Sequence, residues 1–233
     1  MQSNKYKLLA IEDEPEIRAL LQTLLEAAGY KILSAENGET GKMLQASHQP
    51  DLVLLDLGLP DIDGREVLRA IRKDSTCPVI VLSAISDEDV IVQALDLGAN
   101  DYIRKPFGAA ELLARVRNTL RTAQGVIAAL DGKFASDGLV IDYDARTVEL
   151  DGTQIHFTQT EYNILALLAK HSGKMLNYSF ICKEIWGYTD AGSTKKLQVN
   201  MANIRKKFAA IPNGLRHITN ELGVGYRMQN KDI

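Results

Sequence analysis

Residues 52–60 of the chain read Leu-Val-Leu-Leu-Asp-Leu-Gly-Leu-Pro, an apolar run that reaches a single carboxylate, Asp56, just before a Gly and a Pro. An uninterrupted apolar run followed by turn-forming residues is typical of a strand buried on both faces of a sheet. Comparable short runs occur at 7–11, 31–35, 79–83 and 101–103. We therefore expect a five-stranded parallel sheet in the first half of the chain.

Between these runs, apolar residues recur every three or four positions, which is the spacing of an amphipathic helix. The predicted helices are 16–28, 38–47, 64–73, 88–97 and 109–121. Alternating strands and helices predict a flavodoxin-like α/β domain over residues 1–122. In such a sheet, ligands bind at the carboxyl ends of the strands, so the residues just after each strand are the first candidates for a site.

The periodicity fades after residue 122 and returns in a different form, so we assign residues 123–133 to a linker. Residues 134–230 form the second predicted domain, an α+β domain. It opens with short strands at 139–143, 147–150 and 154–157, continues with helices at 158–171, 178–186 and 194–209, and closes with a hairpin of 217–219 and 226–228.

Bulk composition excludes several classes of protein. At 233 residues, 45% hydrophobic and 24% charged, the chain has the balance of a globular protein with two domains. Its apolar runs are far shorter than the roughly 20 residues that cross a bilayer, and residues 1–5 do not resemble a secretory signal, so we expect no membrane association and a cytoplasmic location. The two cysteines, Cys77 and Cys182, have no metal-ligand spacing around them.

The net charge of −3 hides an asymmetry between the two halves. Residues 1–130 carry 14 lysines and arginines against 19 acids, whereas residues 131–233 carry 13 against 11. Within the second half, residues 193–207 hold five basic residues and no acid. This local basic density favours a nucleic-acid partner for the second domain.

Carboxylates follow two neighbouring strands of the predicted sheet: Glu12 and Asp13 follow the first, and Asp56 follows the third. Converging carboxylates repel each other unless a cation lies among them, and Mg²⁺ is the natural cation for oxygen ligands. Ser83 and Lys105, at the ends of the fourth and fifth strands, add a hydroxyl and a positive charge. Each acid alone is more often a solvated loop residue, but the combination favours transfer of a phosphoryl group to Asp56.

The chain has neither the G-x-x-x-x-G-K-[ST] loop nor the glycine loop of kinases, so the phosphoryl group must come from an outside donor. The residues of this region resemble the receiver domain of response regulators over the whole first half. The motifs that carry the resemblance are Glu12-Asp13-Glu14, Asp56-Leu57-Gly58-Leu59-Pro60, Asp63-Gly64, Ser83-Ala84 and Asp101-Tyr102-Ile103-Arg104-Lys105-Pro106-Phe107.

The resemblance to receiver domains implies a sensor histidine kinase as donor and Asp56 as the phosphorylated residue. It also implies Mg²⁺ held by Asp13, Asp56 and the backbone carbonyl of Gly58, with Glu12 acting through water. The chain would not be an enzyme in its own right, although it would catalyse its own phosphorylation and dephosphorylation. Two further implications are a cis Lys105–Pro106 bond and a switch in which Tyr102 turns inward as Ser83 meets the phosphoryl group; alone, Tyr102 would more often be a packing residue.

The last predicted helix of the second half, 194–209, carries two surfaces. Its apolar stripe consists of Leu197, Met201, Ile204 and Phe208. Its polar residues, predicted to project elsewhere, are Lys195, Lys196, Gln198, Asn203 and Lys206. Such a helix can pack on one side and enter a DNA major groove on the other, although a surface helix with ordinary lysines would show the same pattern.

Three further motifs, at 174–176, 185–187 and 223–227, resemble the winged helix-turn-helix effector of the OmpR/PhoB family. The resemblance makes 194–209 the recognition helix for promoter DNA and places Arg227 in the wing. It also identifies 188–192 as the segment that meets RNA polymerase. Residues 58–61 and the short recognition helix look most like the Kdp-type potassium-transport regulators within this family. Family members often have arginine where this chain has Ala202 and Asn203, so base preferences do not carry over.

In the family, phosphorylation promotes a homodimer through the fourth helix, fifth strand and fifth helix of the receiver. The charged residues placed to form pairs across that face are Asp96, Asp101, Glu111, Arg115 and Arg117. A basic residue usual in the fourth helix is replaced here by Ile91. We expect Ile91 to be exposed and to enlarge the apolar part of the interface.

Two other classes of function stay open from the sequence. A stand-alone phosphotransfer enzyme or phosphatase would need a catalytic cluster in the second half, whose His156, His171 and His217 have no acid or cysteine at ligand spacing. A winged helix used only for protein docking is the stronger alternative. Salt dependence separates it from DNA binding, because phosphate contacts weaken steeply as salt rises.

Overall fold

The computed structural model describes residues 6–84, 88–125, 130–190 and 192–230. The chain divides into two compact units, Met1–Leu120 and Arg121–Ile233, and each is described by itself. Among the helices of the described residues, none combines the length and the apolar character needed to cross a bilayer.

The first unit is built on a parallel sheet with strand order β2-β1-β3-β4-β5. Its strands are β1 (Lys7–Ile11), β2 (Lys31–Ala35), β3 (Leu52–Asp56), β4 (Val79–Ser83) and β5 (Asp101–Arg104). The central strands β3 and β4 are buried along their whole length, as their uninterrupted apolar runs require. The predicted five-stranded receiver fold is confirmed.

Five helices cover the sheet: α1 (Pro15–Ala27), α2 (Gly38–His48), α3 (Gly64–Asp74), α4 (Glu88–Asp96) and α5 (Ala109–Gly125). Leu21 and Leu25 of α1, with Leu112 and Val116 of α5, pack against buried residues of the sheet. Asp63 caps α3 by accepting a hydrogen bond from the Arg65 backbone N–H at 2.8 Å. Asp63, which follows the loop after β3, therefore fixes where α3 begins.

Helix α5 continues to Gly125, beyond the domain boundary that the sequence placed at residue 122. The fading apolar period after residue 122 does not end the helix, because Thr, Ala and Gln are compatible with one more turn. Residues 126–129 of the predicted linker lie outside the described residues.

The second unit combines two small antiparallel sheets with three helices. One sheet has the order β6-β7-β8-β9, and the other has the order β10-β12-β11. The strands are β6 (Lys133–Ser136), β7 (Leu139–Asp142), β8 (Thr147–Leu150), β9 (Thr153–Ile155), β10 (Leu176–Asn177), β11 (Ile218–Glu221) and β12 (Gly225–Met228). The helices are α6 (Gln159–Lys170), α7 (Tyr178–Trp186) and α8 (Ser193–Ala209), and a short 3-10 helix spans Gly214–His217.

A predicted capping interaction fixes the start of α6. The Thr158 hydroxyl accepts from the Glu161 backbone N–H at 3.3 Å, and the Glu161 carboxylate accepts from the Thr158 backbone N–H at 2.7 Å. The Glu161 carboxylate also forms an ion pair with the ammonium of Lys207 in α8, at 2.6 Å. This contact joins the start of α6 to the end of α8, so the two helices share one core.

Candidate functional site

The carboxyl edge of the parallel sheet brings the predicted acidic residues together. Ile11 of β1 lies beside Leu55 of β3 in register, so the residues that follow β1 lie next to Asp56, the last residue of β3. One carboxylate oxygen from each of Glu12, Asp13 and Asp56 lies within 4.8 Å of the others. The geometry suits one cation shared by three carboxylates.

Lys105 supplies the positive charge of this site. Its backbone N–H donates to the Ser83 carbonyl at 2.9 Å, and its ammonium lies 2.8 Å from both Glu12 Oε1 and Asp56 Oδ2. Burial acts to lower the pKa of Lys105, but hydrogen bonds and charge from Asp56 and Glu12 outweigh burial and leave the pKa raised. Lys105 therefore stays protonated beside Asp56. The Lys105–Pro106 peptide bond is cis.

Glu12 provides a structural test of whether a cation belongs here. Its side chain is 0% exposed, and burial raises its pKa to about 6, with the charge of Asp56 adding to that effect against the hydrogen bond from Lys105. Oε2 of Glu12 is buried and accepts no hydrogen bond from the part of the chain that the structure describes. A buried carboxylate oxygen without a donor is costly, so the three-acid cluster fits a divalent cation and its water.

Asp56 is held by two hydrogen bonds at the end of β3. Oδ2 accepts from Lys105 at 2.8 Å, and Oδ1 accepts from the Gly58 backbone N–H at 3.2 Å. The carboxylate is almost fully buried, yet Gly58 beside it is exposed. An approach to the carboxylate from the Gly58 side is therefore open.

Ser83 and Tyr102 are both buried next to this site. Burial raises the pKa of the Tyr102 hydroxyl, while a hydrogen bond with the Ser83 side chain acts against that rise. Tyr102 thus occupies an inward position and contacts Ser83. The two residues predicted to form a switch are neighbours in space.

Arg18 is a residue of this site that the sequence analysis missed. From the first turn of α1 its guanidinium donates to the backbone carbonyls of Glu12 at 2.6 Å and Asp13 at 3.0 Å. It thereby fixes the backbone that carries both acids. The available signal was a basic residue on the helix that begins just after the acidic pair.

In the second unit, α8 presents one exposed face. All four residues of its predicted apolar stripe are buried. Its exposed residues are Lys195, Gln198, Ala202, Lys206 and Ala209, while Asn203 is half-buried. Beside them runs an open groove lined in part by Gln198, Ala202, Arg205, Lys206, Asn220 and Tyr226. The groove adds Arg205, which the sequence analysis counted among the basic residues but did not propose as a DNA contact.

Lys196 requires a correction. The sequence placed it with the polar residues that point away from the core, but its side chain is 5% exposed. Its ammonium lies next to the Tyr188 hydroxyl and near the Trp186 ring. Lys196 therefore faces the protein interior, not solvent. Arg227, in β12, is half-buried, and its Nε finds no hydrogen-bond partner among the described residues.

The predicted dimer face also differs from expectation at two positions. Asp101 is buried, and its carboxylate pairs within the chain with Arg115 at 3.2 Å, so it is not presented on the surface. Ile91 is half-buried, not exposed. Asp96, Glu111 and Arg117 remain on the surface. Arg115 is engaged within the chain by Glu111 as well, at 2.8 Å.

Two family models match the chain: a response regulator receiver domain over residues 8–117, and the C-terminal domain of transcriptional regulatory proteins over residues 152–228. The chain therefore belongs to the response regulators of the OmpR/PhoB type, which join a receiver to a DNA-binding domain.

Individual relatives extend over nearly the whole chain. The transcriptional regulatory protein KdpE of Mycobacterium tuberculosis is 40% identical and is matched over 95% of this chain and 98% of its own. The KDP operon transcriptional regulatory protein KdpE of Escherichia coli is 39% identical, over 94% and 97%. Among solved structures, a RitR mutant with a cysteine replaced by serine shares the fold, with a TM-score of 0.79 at 24% identity, over 97% of this chain and 100% of that one.

Proposed function

We propose that this DNA-binding response regulator is activated by phosphorylation of Asp56 and receives the phosphoryl group from a sensor histidine kinase. The observation that carries the proposal is the position of the Lys105 ammonium, 2.8 Å from Oδ2 of Asp56 and 2.8 Å from Oε1 of Glu12. Lys105 fixes the orientation of the Asp56 carboxylate. It also places a positive charge where the phosphoryl oxygens would carry negative charge.

The transfer needs little covalent chemistry from the protein. An Asp56 oxygen forms a bond to phosphorus while the bond from phosphorus to the donor's histidine nitrogen breaks, and that nitrogen retains the electron pair. The Lys105 ammonium offsets the charge of the phosphoryl oxygens, and the Ser83 hydroxyl donates to one of them. The same residues would let the chain catalyse its own phosphorylation from a small donor such as acetyl phosphate. They would also let it catalyse its own dephosphorylation, with water as the nucleophile.

Mg²⁺ is the cation that we propose for the acidic cluster. Asp13, Asp56 and the Gly58 carbonyl would hold it directly, and Glu12 would act through water, which would satisfy its buried Oε2. When bound, the cation neutralises charge on the phosphoryl group. Arg18 would keep the Glu12 and Asp13 backbone in place for it.

The output that we propose is promoter binding through the exposed face of α8. Lys195, Gln198, Asn203 and Lys206 are the proposed contacts from the helix, together with Arg205 of the adjoining groove and Arg227 of the wing. Phosphorylation would favour a homodimer, and RNA polymerase would be the partner that contacts the DNA-bound protein. The identity to KdpE proteins over nearly the whole chain supports control of a potassium-transport operon, from the cytoplasm.

The first experiment identifies the phosphoacceptor. Asp56→Asn should abolish labelling of the full chain by acetyl phosphate in the presence of Mg²⁺, because the variant lacks the nucleophilic oxygen. Asp74→Asn, which changes an exposed acid at the end of α3, serves as the matched control and should label like the wild type. Undiminished labelling of Asp56→Asn would refute the assignment.

A further inference from the structure

The entry to the recognition helix is held by contacts with the preceding loop. Lys196, in the first turns of α8, directs its ammonium 4.6 Å from the centre of the Tyr188 ring and 5.5 Å from the centre of the Trp186 ring. The Tyr188 hydroxyl lies within hydrogen-bonding distance of the same ammonium. The ammonium therefore lies at the hydroxyl edge of Tyr188, where it forms a hydrogen bond, and is also attracted to the Trp186 ring. Both interactions are stronger when the cation is removed from water.

A second set of contacts holds the loop from the other side. Ser193, the first residue of α8, donates from its hydroxyl to Asp190 Oδ1 at 2.7 Å, and the Gly192 backbone N–H donates to the same oxygen at 3.0 Å. The Ser193 hydroxyl also accepts from the Asp190 backbone N–H at 2.9 Å. The polar contacts join Asp190 of the loop to the start of α8, and Lys196 joins the same helix to Tyr188 and to Trp186 at the end of α7.

Lys195 and Lys196 are adjacent in sequence and opposite in environment. The Lys195 side chain is exposed on the face that also presents Gln198, whereas Lys196 is 5% exposed. Successive residues of an α-helix point about 100° apart, so one of two neighbouring lysines can face the groove while the other reaches back to the loop. Only the exposed lysine is placed to contact a phosphate.

We propose that Lys196 is a positioning residue of the recognition helix: it anchors the first turns of α8 to Trp186 and Tyr188 and so presents Lys195 and Gln198 to DNA. The proposal deepens the DNA-binding function and rests on it. The two adjacent lysines at the start of α8 then have different roles: Lys195 contacts DNA, and Lys196 positions the helix.

The test uses the full chain and a short duplex that the wild-type protein selects from a random-sequence pool. Lys196→Met keeps the length of the side chain and removes its charge. Its affinity for the duplex should fall by about threefold to tenfold, the factor expected for one partly desolvated cation–π contact, while the slope of log affinity against log salt stays at the wild-type value. Lys195→Ala, the matched control, should reduce that slope by about one unit, because it removes a phosphate contact.

Fluorescence provides a readout that does not depend on DNA. The chain has one tryptophan, Trp186, so its emission reports directly on the contact. Lys196→Met should shift that emission and increase its quenching by acrylamide, Lys196→Arg should restore the wild-type spectrum and affinity, and Lys195→Ala should leave the spectrum unchanged. A Lys196→Met chain with unchanged emission, or with the slope reduced by about one unit, would overturn the proposal.

A further variant keeps the test decisive if Lys196→Met does not fold. Tyr188→Leu removes the ring and hydroxyl from a half-buried position and leaves Lys196 in place. It should reproduce the loss of affinity at an unchanged slope, and full wild-type affinity would contradict the proposal. If the wild-type chain bound no duplex in a salt-dependent way, the proposed DNA contacts would fail instead, and the Trp186 emission would still decide the role of Lys196.

Discussion

At the scale of single residues, the acidic cluster could be predicted because its geometry follows from the sheet. Residues that end neighbouring parallel strands must meet at one edge, so Glu12, Asp13 and Asp56 converge whatever the details of packing. The two lysines at the start of α8 could not be separated in the same way. Lys196 directly precedes Leu197 of the apolar stripe, and its aromatic partners lie eight and ten residues earlier, where no periodic pattern connects them to it.

Gly64 supports a prediction about the loop that carries Asp56. A Cβ at Gly64 would clash with the Asp56 carbonyl oxygen and would lie 2.6 Å from Leu57 Cα. Gly64→Ala should therefore displace the backbone next to the phosphoacceptor, destabilise the first unit by about 1–3 kcal/mol, and slow labelling by acetyl phosphate. Thermal unfolding and labelling of the full chain measure the two effects.

The control for this substitution is Gly108→Ala. A Cβ at Gly108 meets no atom within 4 Å among the described residues, so stability and labelling should stay at wild-type values. Equal behaviour of the two variants would show that the close approach at Gly64 does not constrain the loop.

At the scale of elements, the helices and the long strands of both units were predicted to within a few residues, because their apolar periods are strong. The short strands β6 and β10 were missed. Lys133 was assigned to the linker and 134–136 to the second domain without a strand, and Leu176–Asn177 is only two residues long. Strand β10 exists through pairing with the distant β12, which local sequence does not reveal. Strand β6 instead forms a hairpin with the adjacent β7 across Asp137 and Gly138, a turn signal that the sequence contained and the analysis did not use.

The receiver face formed by α4, β5 and α5 supports a prediction about dimerisation. Because Asp101 and Arg115 pair within the chain, few charges remain for pairs between two copies, and each exposed pair contributes under about 1 kcal/mol. Apolar contact around the half-buried Ile91 should then carry more of the association, at about 25 cal/mol per Å². We expect a phosphorylation-dependent dimer that persists at high salt, as measured by sedimentation of the phosphorylated chain.

Two substitutions test the contribution of Ile91. Ile91→Lys should weaken the dimer, whereas Met43→Lys, which changes an exposed apolar residue of α2, should not. A dimer that dissociates as salt rises, and that Ile91→Lys strengthens, would show that charge pairs dominate the interface.

At the scale of the whole molecule, two domains could be inferred because each half has its own apolar periodicity and net charge. Their functions could be inferred because the motifs of each half resemble those of a known family. The acidic half brings three carboxylates together beside Lys105, and the basic half contains a helix with one exposed face. The extent of α5 could not be inferred, since the residues after 122 suit either a helix or a linker.

The central claim is that phosphorylation of Asp56 controls DNA binding, and the most direct measurement compares duplex affinity before and after treatment with acetyl phosphate and Mg²⁺. For the wild-type chain, treatment should raise the affinity for the selected duplex, because a phosphorylated dimer would bind through two copies of α8. For Asp56→Asn, treatment should change nothing. An equal rise in both proteins, or no rise in a wild-type chain shown to be labelled, would contradict the account.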